Sequence, residues 1–281
     1  MSSTAQPSAR PTRLVVLGHP VEHSLSPVFQ QAALDAAGIG LRYERLDVPP
    51  DSLAVSLKAL RAEPAAGNIT IPHKQAAVAH CDALTPLARR VAAVNTFWTD
   101  EAGRLVGDNT DVGGFDAAVR ALLPDVRGLR VLVLGAGGAA VAVREAVSQW
   151  PDASLLAWAR RAEQAIALAA PLDARARAIV GGADALAAAL DDSDLIVNAT
   201  PLGLRADDPS PLDVQLLTAR HTVIDLTYRR GGPTALVAAC RARGIRADDG
   251  LRMLVEQGAL AFERWFGVAA PRDVMMAAIG R

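Results

Sequence analysis

The chain has only two cysteines in 281 residues, Cys81 and Cys240, far apart in helical runs and without paired metal-ligand spacing. That scarcity argues against a disulfide framework and a zinc site, so no metal is expected and both thiols read as reduced, buried packing residues. Net charge is lacking too. The 29 basic and 30 acidic side chains leave a balance of -1, which gives no electrostatic case for nucleic acid or an anionic membrane and favours a small-molecule partner. Apolar runs are interrupted by charges well short of the ~20 residues of a membrane span. The polar opening, MSSTAQPSAR, lacks the apolar stretch and small-residue cleavage pattern of a signal peptide. A soluble, cytoplasmic protein is therefore expected, with residues 1–12 as a disordered lead-in.

What the chain has in quantity is hydrophobic residues, 51% of the total. At the usual ~100 to 200 residues per domain, the length suggests two domains, each with its own core. In the first, Leu14 to Leu17 reads as a buried strand ending at Gly18. HSLSP, His23 to Pro27, follows. Ser26 before Pro27 is a good helix start, with the hydroxyl as N-cap and proline at the first helical position. Ser24 has no such structural explanation, and two hydroxyls beside a helix N-terminus can hold a carboxylate. Leu41 to Val48 predicts a second strand, and Asp51 caps a helix with Leu53, Leu57 and Leu60 on one face.

The stretch Asn68 to Lys74 reads NITIPHK. Ile69 and Ile71 alternate with Asn68 and Thr70, which predicts a strand that buries one face and presents polar groups on the other. Pro72 stops it, leaving His73 and Lys74 at the carboxyl end, ahead of the helical run QAAVAHCDAL. Ligands of open α/β sheets lie at such strand ends. Lys74 there is either a proton donor and acceptor or a solvated first-turn residue. VAAVNTFW and GRLVGDNT then read as an antiparallel hairpin on the sheet edge. Asn95 inside the first of them needs a partner for its amide, from neighbouring backbone or from a ligand hydroxyl. Asp111 precedes VGGFDAAVRALL and is either a helix N-cap or a carboxylate that accepts a substrate hydroxyl and holds Lys74.

A second domain follows. RVLVLG, Arg130 to Gly135, is a buried strand running into GAGGAA and then a helix, the setting in which a GxGxxA string binds a dinucleotide. Gly135 permits the tight turn, Gly137 lets pyrophosphate approach the backbone, and the helix N-terminus supplies amide donors. The next strand, SLLAWA, ends at Arg160 and Arg161, with no acid placed to bind a ribose 2′-hydroxyl. Arginine there accommodates a 2′-phosphate, so NADP is favoured over NAD. Strands at Ala178 to Val180, Leu195 to Thr200, Thr222 to Tyr228 and near Ile245 complete a doubly wound sheet. Asn198 and Thr200 are either cofactor-facing or ordinary turn groups. Tyr228 packs its ring and directs its hydroxyl at a partner. DDGLRMLVEQGALAFERWFG reads as a helix on which Met253 and Gln257 are neighbours, Gln257 reading from spacing as exposed. PRDVMMAAIG is a last short helix.

In this order, GHPVEHSLSP, NITIPHK, AAVNT, GDNTD, GAGGA, VNAT, the Tyr228 segment and DGLRMLVEQ resemble the shikimate dehydrogenase family over nearly the whole chain. The resemblance implies a two-domain α/β fold. Residues 1–110 and 248–281 would form a mostly parallel substrate domain on which the C-terminal helices pack back, and 111–247 a Rossmann-like, doubly wound NADP domain. It implies reversible NADPH-linked reduction of 3-dehydroshikimate to shikimate in aromatic amino-acid biosynthesis, by a monomer or homodimer. Lys74 and Asp111 would be the catalytic pair. Ser24 and Ser26 would bind the substrate carboxylate; Thr70, Asn95 and Asp111 the ring hydroxyls; Tyr228 and Gln257 would add contacts. Gly135, Ala136, Gly137, Gly138 and Ala139 would form the cofactor turn, with Arg160 and Arg161 at the 2′-phosphate and Leu226 and Gly250 on the nicotinamide side. Three departures stand out: Ala159, Arg160 and Arg161 where the family has Asn-Arg-Thr, Arg252 in place of a glycine, and Ala140 in place of a small polar residue. The rivals are a quinate or dual quinate/shikimate dehydrogenase using NAD, and a non-catalytic dinucleotide sensor. The two serines and the missing acid speak against the first; the coexistence of Lys74, Asp111 and the hydroxyl-binding set speaks against the second.

Overall fold

The computed structural model describes residues 10–205 and 207–281. The lead-in expected for residues 1–12 lies outside them up to residue 9. Beyond that, Pro11 is buried and the Thr12 N–H donates to Pro64 O at 2.7 Å, so the chain is already tied down before Arg13. It divides into two compact units, Met1–Gly114 with Leu254–Arg281, and Phe115–Met253. The divisions fall inside two helices rather than at the strand ends expected at 110/111 and 247/248.

The first unit begins with β1 (Arg13–Gly18), α1 (Ser26–Ala36), β2 (Tyr43–Asp47), α2 (Leu53–Ala62) and β3 (Ala65–Ile69). After β4 (Ala83–Leu84) and α3 (Pro86–Val91) comes the hairpin β5 (Thr96–Thr99) and β6 (Leu105–Asp108), leading into α4 (Asp111–Leu122). The sheet runs β2-β1-β3-β5-β6-β4. β1 pairs in parallel with β2 and β3, and β3 turns the direction by pairing antiparallel with β5. Successive β1 side chains serve opposite faces. Leu14 and Val16 join Phe29, Phe262 and Trp265 in one core, while Val15 and Leu17 join Leu53, Leu57, Leu60 and Phe97 in another. The first core is closed by the C-terminal part of the chain, α10 being Arg272–Ala278.

Several local expectations change. β3 starts and ends earlier than NITIP: Ile71 lies beyond its end and is 69% exposed, while Asn68 lies inside it and is buried because both faces of this central strand are covered. The run 75–84 is not an α-helix: Ala76–His80 is a 3₁₀ turn followed by β4, which pairs with β6. Asp51 lies in a 3₁₀ turn, Pro50–Ser52, rather than capping α2. Cys81 is half-buried, not buried, whereas Cys240 is fully covered; burial pushes their thiols up to about 12 and about 11.

The second unit alternates β7 (Arg130–Leu134), α5 (Gly138–Gln149), β8 (Ser154–Trp158), α6 (Ala162–Ala169), β9 (Ala176–Ile179), α7 (Ala183–Asp191), β10 (Leu195–Asn198), β11 (Thr222–Asp225), α8 (Ala235–Ala242) and β12 (Arg246–Asp249). α9 (Leu251–Phe266) then crosses back into the first unit. The strands are all parallel in the order β12-β11-β10-β7-β8-β9. The chain thus winds outward from β7 to β9, then returns to start again at β10 on the other side. The carboxyl ends of β7 and β10 are the topological switch point, where open α/β sheets hold ligands.

Candidate active site

The Lys74 turn is built from β3. Beyond Ile69, the Thr70 N–H donates to Leu17 O at 2.9 Å and the His73 N–H to Thr70 O at 3.0 Å, across a cis Ile71–Pro72 bond. His73 is 1% exposed and its Nε2 lies 2.6 Å from Val48 O. A carbonyl only accepts, so Nε2 carries the proton. This buried anchor leaves the next side chain, Lys74, half-buried at the strand end. Its Nζ donates to Asp111 Oδ2 at 2.7 Å, with side-chain exposures of 29% and 10%.

Asp111 is the first residue of α4, not its N-cap. Its N–H donates to Asn109 Oδ1 at 3.1 Å, which frees the carboxylate to face Lys74 at the positive end of the helix. The second carboxylate oxygen accepts from Asn95 Nδ2 at 2.8 Å, and the same amide donates to Gln257 Oε1 at 3.1 Å. Asn95 Oδ1 accepts the Thr110 N–H at 2.7 Å, so its amide orientation is set by backbone. Gln257, on α9, is buried rather than exposed; its Nε2 donates to Leu254 O at 2.6 Å. Lys74, Asp111, Asn95 and Gln257 therefore form one hydrogen-bonded chain, assembled from four separate stretches of sequence.

The serines exchange the roles expected of them. Leu25 is the N-cap residue of α1, and Ser24 Oγ accepts the Ser26 N–H at 3.2 Å, while Ser26 is 5% exposed within the helix. Ser24 therefore serves the helix start, and the Ser26 hydroxyl is the one left without a capping duty. Thr70 is half-buried at the end of β3, next to the end of β1. A side chain at Gly18 would come within 2.4 Å of Thr70 Cγ2, so glycine there makes room for the threonine.

In the second unit the turn after β7 has the features a phosphate needs. Gly135 takes φ +106 and a Cβ there would lie 2.9 Å from Ala199 O; only glycine fits. A Cβ on Gly137 or Gly138 would meet nothing within 4 Å, so the space over the turn is open. Gly137 is the N-cap of α5, and the Val141 N–H makes the first helical bond to Gly137 O. The amides of Gly138, Ala139 and Ala140 precede it and are available to an anion. The Gly135 N–H donates to Trp158 O at 2.8 Å, which ties this turn to the end of β8, where Arg160 and Arg161 are exposed. Arg161 lies 4.0 Å from Glu163. These residues fit a dinucleotide carrying an extra phosphate.

Leu226 and Gly250 are brought together: a Cβ on Gly250 would lie 2.3 Å from Leu226 O. Tyr228 is half-buried, and burial raises its phenol above the ordinary value, with the Arg230 charge opposing. Arg252 pairs with Asp248 at 3.7 Å. Asn198 is fully buried; its Nδ2 donates to Leu202 O and to Asp225 Oδ1, and its Oδ1 accepts from Thr200. Both polar groups of VNAT thus hold the loop after β10. The residues missed by sequence reasoning belong to such supports: Asn109, and Asp225, which is buried and accepts from Asn198, Thr227 and Thr234. For Asp225 the available signal was a polar residue ending an apolar strand. Among the described residues no cluster of His, Cys, Asp or Glu is arranged to hold a metal, and no helix is long and apolar enough to cross a membrane.

Fold and site define an α/β protein with a Rossmann-like dinucleotide-binding unit and a second unit bearing a lysine–carboxylate–amide chain. The family model for the shikimate dehydrogenase substrate binding domain matches residues 16–97, and that for the shikimate 5′-dehydrogenase C-terminal domain matches 250–279. The chain is 42% identical to shikimate dehydrogenase (NADP(+)) of Symbiobacterium thermophilum, over 99% of its own length and 97% of that protein. Shikimate dehydrogenase of Aquifex aeolicus superposes with a TM-score of 0.88 at 33% identity, covering 97% of this chain and 99% of that one. The Thermus thermophilus shikimate 5-dehydrogenase in complex with NADP(H) and shikimate gives 0.83 at 38% identity, covering 95% and 98%. The chain belongs to the shikimate dehydrogenase family.

Proposed function

We propose that this chain is an NADP-dependent shikimate dehydrogenase, catalysing the reversible reduction of 3-dehydroshikimate to shikimate. The observation that carries the reading is the Lys74–Asp111–Asn95–Gln257 chain. It gives a proton-carrying ammonium, a fixed carboxylate and amide groups suited to a polyhydroxylated acid. Bound NADPH supplies the hydride. Lys74 gives its proton to the carbonyl oxygen as negative charge develops there, and recovers one from solvent through its exposed side. In oxidation the same amine takes the hydroxyl proton. Asp111 holds Nζ in place and accepts from the substrate hydroxyl; Asn95 and Thr70 bind the ring hydroxyls, with Gln257 and Tyr228 adding contacts. Ser26 and Ser24 hold the substrate carboxylate at the start of α1.

Gly135 to Ala139 would hold the pyrophosphate, Arg160 with Arg161 the 2′-phosphate, and Leu226 with Gly250 the nicotinamide side. The reading includes a cytoplasmic protein, monomeric or homodimeric, which cell fractionation and sedimentation velocity check. Steady-state kinetics with shikimate and quinate, each against NADP and NAD, test the function. The highest kcat/KM is expected for shikimate with NADP. Preference for quinate with NAD would favour the quinate enzyme, and no turnover of any pair would sink the reading.

A further inference from the structure

Gln30 lies in α1 at 1% exposure, four residues after Ser26 and so on the same helix face. Its Nε2 donates to Gly258 O at 2.9 Å, on α9. Its Oε1 is buried with no hydrogen-bond partner among the described residues. A buried unpaired acceptor is a cost that methionine, of similar length, would avoid. The Gly258 carbonyl is already served by the helical ladder of α9, so Gln30 is not needed to satisfy it. Its value lies in where the bond falls. Gly258 directly follows Gln257, and a Cβ on it would lie 2.4 Å from Phe29 Cε2 and 3.1 Å from Gln30 Nε2, so these two α1 side chains rest directly on the α9 backbone. Gln257 Oε1 in turn accepts from Asn95 Nδ2 at 3.1 Å, the nitrogen that also donates to Asp111 at 2.8 Å and reaches Thr110 Oγ1 at 3.0 Å.

We propose that Gln30 is a positioning residue for the substrate site: it pins the α9 backbone at Gly258 so that Gln257 meets Asn95, and thereby sets the Asn95–Asp111 geometry. The kinetic part of the inference rests on the proposed function. In Gln30→Met, KM for shikimate is expected to rise about three- to tenfold, the worth of one hydrogen bond, with kcat falling less than about threefold. KM for NADP and the Tm are expected to stay unchanged. A role in helix packing alone would lower the Tm and leave KM in place, overturning the inference. In a Gln257→Ala background the same substitution should change KM by less than about twofold, because the route through Gln257 is gone; an undiminished rise there also overturns it. Independently of turnover, the Asn95 and Gln257 side-chain amide resonances of the ligand-free protein should move in Gln30→Met. Unmoved resonances reject the positioning role even if the wild type turns over nothing, whereas absent wild-type turnover strikes only the assigned reaction.

Discussion

Replacing Lys74 tests the chemistry most directly. The ammonium gives one hydrogen to Asp111 at 2.7 Å and has 29% of its side chain exposed, so it can both hold the carboxylate and exchange a proton with solvent. Lys74→Ala removes a general acid–base, which is worth about 10²- to 10⁴-fold in rate. At about 1.36 kcal/mol per tenfold, that is roughly 2.7–5.4 kcal/mol of barrier. The stability cost is smaller. Asp111 keeps the Asn95 N–H at 2.8 Å and its place at the start of α4, so the lost pair falls between an exposed and a buried one, about 1–3 kcal/mol. Lys74→Arg separates charge from proton exchange: arginine can keep an ion pair with Asp111 but does not give up its proton. Both variants are expected to lose at least about a hundredfold in kcat for shikimate oxidation, followed by NADPH absorbance, while still binding NADP in a fluorescence titration. A near-normal kcat in Lys74→Ala would remove Lys74 from the chemistry. A near-normal kcat in Lys74→Arg alone would reduce its role to electrostatics.

Arg160→Ala should weaken NADP binding with little effect on NAD; equal losses for both would reject the 2′-phosphate assignment. Gly137→Val should raise KM for NADP at nearly constant Tm, because the protein leaves open space over Gly137, whereas Gly135→Ala should cost about 1–3 kcal/mol through strained backbone and a clash with Ala199 O. Thermal melts and cofactor titrations on the pair check this; similar Tm losses would contradict it. Burial lowers the pKa of His221, so the native state binds fewer protons than the unfolded chain between that lowered value and about 6.5. This contribution to stability is full above the unfolded value and is lost as pH falls through the folded one, with a slope of up to about 1.36 kcal/mol per pH unit. Denaturant titrations from pH 7 to 5 should show this loss, reduced in His221→Gln; an unchanged slope would refute it.

The local pattern carried far in this chain. A βαβ rhythm, a glycine turn after an apolar strand and arginines after the next were readable because each depends on neighbours within one or two elements. The strands of the second unit were expected to within a few residues. Expectations failed where a residue's environment came from distant chain. Ile71 looked like a core residue by alternation, but β3 ends before it. Ser26 looked like a cap, yet the oxygen that accepts its N–H belongs to Ser24. Arg252 could be read from sequence as crowding the cofactor or pointing away; its side chain is paired with Asp248.

Read alone, the sequence carried the element types, the glycine turn and the choice of chemical groups, since these rest on local backbone limits and side-chain inventory. It also marked NITIPHK and GDNTD as carriers of a lysine and a carboxylate. That these two meet at 2.7 Å, that Asn95 links them to Gln257, and that Gln257 is buried instead of exposed came from the packing of distant segments. Asn95 and Gln257 are 162 residues apart. No periodicity records a contact across such a distance, because it depends on α9 packing back on the core of the first unit, where Phe262 and Trp265 join Leu14 and Val16.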